Sequence, residues 1–119
     1  MATAMEMGAR LQAMADEVVR SVNGKKSDVA AKLADALQAV RGMSEAATEP
    51  TSEVAMMLGE DHPGTTAIVG NSANVQEACE AIEAAINSVI QQLELSSSSI
   101  DQLGFTYESV GTDIASGRH

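Results

Sequence analysis

Apolar residues in the second half of the chain recur every three or four positions. Stepping from Val75 by alternating fours and threes gives Cys79, Ile82, Ile86, Val89, Leu93, Ser96, Ile100, Leu103, Tyr107, Val110 and Ile114, and only Ser96 among them is polar. A 3.5-residue period belongs to a coiled-coil-type helix seam, whereas a strand would alternate by two. The register passes through Ser96–Ser99, which local propensity alone assigns to a loop. Asn71, Ser72 and Asn74 can cap a helix start. The pattern predicts one long helix over 72–115, with a break at the serines as the alternative and fraying after Gly104.

The first half carries a second stripe. Met7, Leu11, Met14, Val18 and Val22 are followed, after Asn23-Gly24-Lys25-Lys26, by Val29, Leu33, Ala36 with Leu37, Val40, Met43 and Ala47. Asn23-Gly24 can stop a helix and Ser27 can cap the next. Continuity is the favoured reading, because Lys26 falls four after Val22 and three before Val29. An unbroken helix over 4–47 would be roughly 65 Å long at about 1.5 Å per residue.

Between the two arms, residues 48–71 hold Glu49-Pro50-Thr51-Ser52, a short apolar piece from Val54 to Leu58, and Gly59-Glu-Asp-His-Pro-Gly64. Pro50 and Pro63 are expected to stop helices, and Thr51 or Ser52 to cap a turn or two. A connection of this length is long for a simple hairpin. It is expected to fold over the bundle end, anchored by Met56, Met57, Leu58, Ile68 and Val69. The fold class is all-α, an antiparallel hairpin of two long helices with an elaborated connection, within one domain over 1–119. An up-down four-helix bundle is the alternative, if the helices break at Asn23-Gly24 and at Ser96–Ser99.

Composition agrees with helices. Apolar residues make up 45%, mostly Ala, Val, Leu, Ile and Met, while the aromatics are Phe105 and Tyr107 alone. The net charge of −10 argues against nucleic acid and anionic membranes as partners. Residues 1–49 carry six bases (Arg10, Arg20, Lys25, Lys26, Lys32 and Arg41) against seven acids, and residues 50–119 carry ten acids against Arg118. The two halves could attract each other, or the acidic half could occupy a basic protein partner. No stretch approaches the roughly 18 apolar residues of a membrane span, so no membrane insertion is expected. The start, Met1-Ala-Thr-Ala-Met-Glu, has neither a basic nor an apolar leader region. Synthesis in the cytoplasm is expected, with leaderless export or incorporation into a particle as later fates.

Candidate chemistry is sparse. Cys79 is the sole cysteine, which excludes an internal disulfide, and it reads as a small buried apolar residue. The histidines, His62 and His119, lie in the connection and at the last position, and no His-x-x-x-His or Glu-x-x-His pair occurs. Glu77, Glu80 and Glu83 step by three along one helix side and read as a solvated flank. Glu60-Asp61-His62 reads as a turn. No phosphate loop, nucleophile elbow or aromatic–cation platform is present. No catalytic residue, cofactor or metal is expected, and the chain is read as non-enzymatic. Methionines gather at Met1, Met5 and Met7 and at Met56 and Met57, and Met adapts to irregular apolar surfaces. Alanines at 30, 31, 34, 78, 81, 84 and 85 would let further helices approach. Self-association or pairing with partner helices is the expected way to complete the core.

Two long helices in about a hundred residues, few aromatics, an acidic balance and no leader together resemble the helical-hairpin WxG-type substrates of type VII secretion and their motif-lacking relatives. The likeness covers most of the chain and is one of architecture. The Trp-x-Gly turn is absent, and the fourth residue after Tyr107 is Gly111 where the export signal has an acid. The resemblance implies a leaderless secreted hairpin acting as a homo- or heterodimer, with Tyr107 and Asp113 as the export contact. The leading functional expectation is a helical assembly module. A structural subunit of a phage or injection-machine particle, and an acidic inhibitor or chaperone of a basic partner, are the alternatives.

Overall fold

A computed structural model describes residues 3–117; Met1, Ala2, Arg118 and His119 lie outside the described residues. The fold is all-α, with three helices: α1 (Ala4–Thr48), α2 (Thr51–Leu58) and α3 (Pro63–Ala115). Helix α1 runs through Asn23-Gly24 and α3 runs through the four serines, so the four-helix alternative is not adopted. Two of the serines inside the helix find hydrogen-bond partners, one local and one on α1. Ser96 Oγ donates to the Leu93 carbonyl at 2.6 Å, and Ser97 Oγ accepts from Lys26 Nζ at 2.6 Å.

Local chemistry sets the helix ends. Thr3 Oγ1 accepts the Glu6 N–H at 3.1 Å, and Thr3 N–H donates to Glu6 Oε2 at 3.4 Å. This reciprocal pair satisfies two donors at the start of α1. Gly59, at φ +90°, closes α2 with its N–H on the Ala55 carbonyl at 2.8 Å. Pro63 does not stop a helix; it opens α3. A first-turn proline suits a helix because its missing N–H would be unpaired there in any case. His62 Nδ1 accepts the Gly64 N–H at 2.9 Å, which caps the same turn. Asn71, Ser72 and Asn74, expected as caps, therefore lie inside α3. The expected long connection shrinks to α2 and residues 59–62, and Met56, Met57, Leu58, Ile68 and Val69 are exposed rather than anchoring. Helix α3 also continues past Gly104 to Ala115 without the expected fraying.

The chain divides into two compact units. Unit 1 comprises Met1–Ala30 with Gln91–His119. In it α1 and α3 run antiparallel and approach closely at small residues. A Cβ placed on Gly111 would lie 2.7 Å from the Gly8 carbonyl oxygen, and one on Gly104 would lie 2.6 Å from Val19 Cγ2. Gly8, Ala15, Ile100, Gly104 and Gly111 are buried here. Gln12 Nε2 donates to Thr112 Oγ1 at 2.8 Å beside the glycine contact.

Unit 2 comprises Ala31–Ile90. Its helix segments are also antiparallel, with Cys79 buried at 2% exposure between them. Hydroxyls tie its α2 end: Ser72 Oγ donates to the Ala47 carbonyl at 2.5 Å and Thr65 Oγ1 to the Gly59 carbonyl at 2.7 Å. Arg41 and Glu83 form an ion pair at 2.9 Å, partly exposed on both sides. It is the one ion pair among the described residues, so attraction between the basic and acidic halves adds little to either unit.

Candidate functional site

In α3 the seam facing α1 is rotated from the one the apolar periodicity predicts. Cys79 and Ile100 are buried and Ile86, Leu93 and Tyr107 half-buried, as that period requires. The alternate positions differ: Glu83, Ile90, Gly104 and Gly111 turn inward, while Val75, Ile82, Val89 and Leu103 stay exposed. Helix α1 shows the same offset. Leu11, Val18, Leu33 and Val40 are half-buried, Gly8 and Ala15 are buried, and Met14 and Val29 are exposed. In unit 1 close backbone approach at Gly8, Gly104 and Gly111 accounts for this choice. Helices that meet at glycine and alanine come nearer than helices held apart by valine and leucine, and gain dispersion contacts along their backbones.

The rotation leaves an apolar ladder in the open. Ile68, Val75, Ile82, Val89, Leu103 and Val110 are spaced by seven residues or twice seven, and each is between 37% and 47% exposed. Ser96 occupies the skipped rung. Residues seven apart share a helix face. The neighbouring positions on that flank are Asn71, Asn74, Ala78, Ala81, Ala85, Ser88, Gln92, Leu95, Ser99, Gln102, Thr106 and Ser109. No charged residue occurs on this flank from Asn71 to Val110.

The acids of α3 take a different side. Glu80, Glu94, Asp101 and Glu108 form their own seven-residue series, with Asn87 in the gap. They sit roughly 150° round the helix from the apolar ladder, at about 100° per residue. Each unit has a charged groove beside this series. In unit 1 an open groove of about 460 Å³ is lined by Asp16, Arg20, Asp101, Phe105 and Glu108 among others. In unit 2 one of about 260 Å³ includes Arg41, Glu45, Glu80 and Glu83. Among the described residues, no three His, Cys, Asp or Glu side chains gather in a way that could hold a metal ion. Among them, too, no helix is long and apolar enough to cross a membrane.

In unit 1 α1 adds apolar residues and the cation Arg10 beside this flank. Leu11 is shared by two shallow apolar grooves, one with Thr106, Tyr107 and Val110 and the other with Met7, Arg10 and Met14. Tyr107 is half-buried here, and Asp113 is exposed. The two are six positions apart in α3, roughly 120° round the helix at about 100° per residue, so they do not share a face. The residues missed by sequence reasoning are Gly8, Ala15, Gly104 and Gly111. Their signal was a seven-residue spacing of small residues on both helices, which a search for large apolar side chains passes over.

No family profile, curated protein or solved structure matches this chain.

Proposed function

We propose that the protein is a non-enzymatic helical interaction module, whose working surface is the uncharged flank of α3 within unit 1, around Leu103 and Val110. The observation that carries this reading is the amount of surface left open. In unit 1 the α3 side chains Leu95, Leu103 and Val110 are 63%, 41% and 43% exposed. Among the described residues only Ala15, Cys79 and Ile100 form the buried apolar core, and none of the large side chains is fully enclosed. An apolar ladder at coiled-coil spacing supplies the area that a further helix would cover.

Photo-cross-linking tests the proposal in the native host. A photoreactive phenylalanine analogue at position 103 is expected to give a covalent protein adduct. The same group at Glu94, on the acidic flank, gives none. Absence of any adduct from position 103 would refute the interaction reading.

A further inference from the structure

We infer that the α2 end of unit 2 is a second docking surface, whose partner is a basic amphipathic helix. It lies wholly within unit 2, and it neither supports nor depends on the unit 1 flank around Leu103. Helix α2 has eight residues and is about 12 Å long at about 1.5 Å per residue. Its Val54 and Ala55 are half-buried, whereas Met56 and Met57 are 86% and 75% exposed. Leu58, and Ile68 and Val69 of α3, are exposed as well. An open groove of about 520 Å³ between the two helices is lined by Ala55, Glu60, Thr65, Thr66, Val69 and Gly70. A Cβ added at Gly70 would meet nothing within 4 Å, so that wall leaves room for an incoming side chain.

Charge selects the kind of partner. Glu49, Glu53, Glu60 and Asp61 are exposed at this end, and no Lys or Arg occurs between Arg41 and Arg118. Arg41 itself is engaged with Glu83, the one ion pair among the described residues. His62 offers no N–H at Nδ1, which accepts from the Gly64 N–H. Glu53 precedes Met56 and Met57 by three and four residues and so shares their side of α2; Glu60 lines the groove. Among the described residues no three acids gather tightly enough to hold a metal ion, so these carboxylates form a spaced rim beside apolar surface. Several cations flanking an apolar stripe match such a rim, and that is the pattern of a basic amphipathic helix. An acidic helix would be repelled. An uncharged one would desolvate the rim without supplying a counter-charge. Methionine adapts to varied apolar side chains. The described residues form no strand, which leaves no sheet edge for an extended peptide to join.

Calorimetric titration of the purified full chain with a synthetic Leu/Lys amphipathic peptide of about four helical turns decides the matter. The wild type is expected to bind it, and to bind the Leu/Gln and Leu/Glu peptides of the same pattern roughly 10-fold more weakly or not at all. Met56→Gln with Met57→Gln should weaken binding of the Leu/Lys peptide by roughly 10-fold through lost apolar burial. Val69→Gln, on α3 rather than α2, tests the groove independently and should act in the same direction. Glu53→Gln with Glu60→Gln should weaken binding by roughly 10-fold and flatten its salt dependence. All five positions are exposed, so helicity should stay unchanged in each variant. Glu94→Gln with Glu108→Gln, in unit 1, should leave the affinity as it was. No binding by the wild type would overturn the inference, as would a Leu/Gln peptide that binds equally well. Equal weakening by the unit 1 pair, or indifference to both the methionine and Val69 changes, would reduce the binding to diffuse attraction and overturn it too. None of these results bears on the cross-linker at position 103, so the unit 1 reading stands or falls separately.

Discussion

Glycine-to-alanine exchange reads the rotated seam directly, because the same chemical change has opposite signs at two places. Gly42 lies inside α1 with nothing within 4 Å of an added Cβ. Alanine there gains helix propensity of about 1 kcal/mol. Gly111 lies inside α3, and its added Cβ would sit 2.7 Å from the Gly8 carbonyl oxygen, 2.9 Å from Gln12 Cγ and 3.1 Å from Gln12 N. Two of those three atoms are backbone, so relief requires the helices to separate. Overpacking of this kind costs typically 1–3 kcal/mol, and more when rigid atoms must move. Set against the same propensity gain, Gly111→Ala should lose about 1–2 kcal/mol. The two substitutions should therefore differ by about 2–3 kcal/mol. Thermal unfolding followed by circular dichroism at one fixed protein concentration measures this, since association adds equally to each sample. Gly42→Ala should melt a few degrees above the wild type, and Gly111→Ala about 4–8 °C below it. A Gly111→Ala protein that melts at or above the wild type would refute the close-approach seam.

Three further outcomes follow from named contacts. Ile100→Ala removes most of a side chain that is 7% exposed and should cost about 2–4 kcal/mol in urea unfolding; a loss near zero would mean that unit 1 has no core at that point. Arg41→Ala removes the only ion pair of the described residues and should cost less than about 1 kcal/mol, because both partners are partly solvated. A larger loss would show charge pairing to be a main support of unit 2. Thr3→Ala breaks the reciprocal bonds with Glu6 and should cost about 1 kcal/mol, with amide exchange in the first turn of α1 speeding up while the rest of the helix keeps its protection.

The helices were legible because their period is long and sustained. Ten apolar steps from Val75 to Ile114 outweigh the turn propensity of Ser96–Ser99, and the stripe from Met7 to Val40 outweighs Asn23-Gly24. Pro63 was misread because a proline marks both ends of helices, and the His62 cap that decides the matter is not an ordinary N-cap residue. The seam was half legible. Positions such as Cys79, Ile86 and Ile100 belong to either rotation of α3, whereas Leu103 and Gly104 compete for the inward place. Hydrophobicity ranks Leu103 first; packing distance ranks Gly104 first, and a single helix sequence does not reveal how near its neighbour will come. The uncharged flank became visible only when the rotation placed Val75, Ile82, Val89 and Leu103 outside, although the charge segregation itself stood in the sequence.

Cys79 gives the molecule an internal clock. Its thiol is buried between α1 and α3 of unit 2, beneath the open groove beside Arg41, and its alkylation should speed up whenever those helices part. The rate at which a small electrophile tags the native protein thus counts openings of unit 2 alone, while unit 1, which contains no sulfhydryl, stays silent in the same tube.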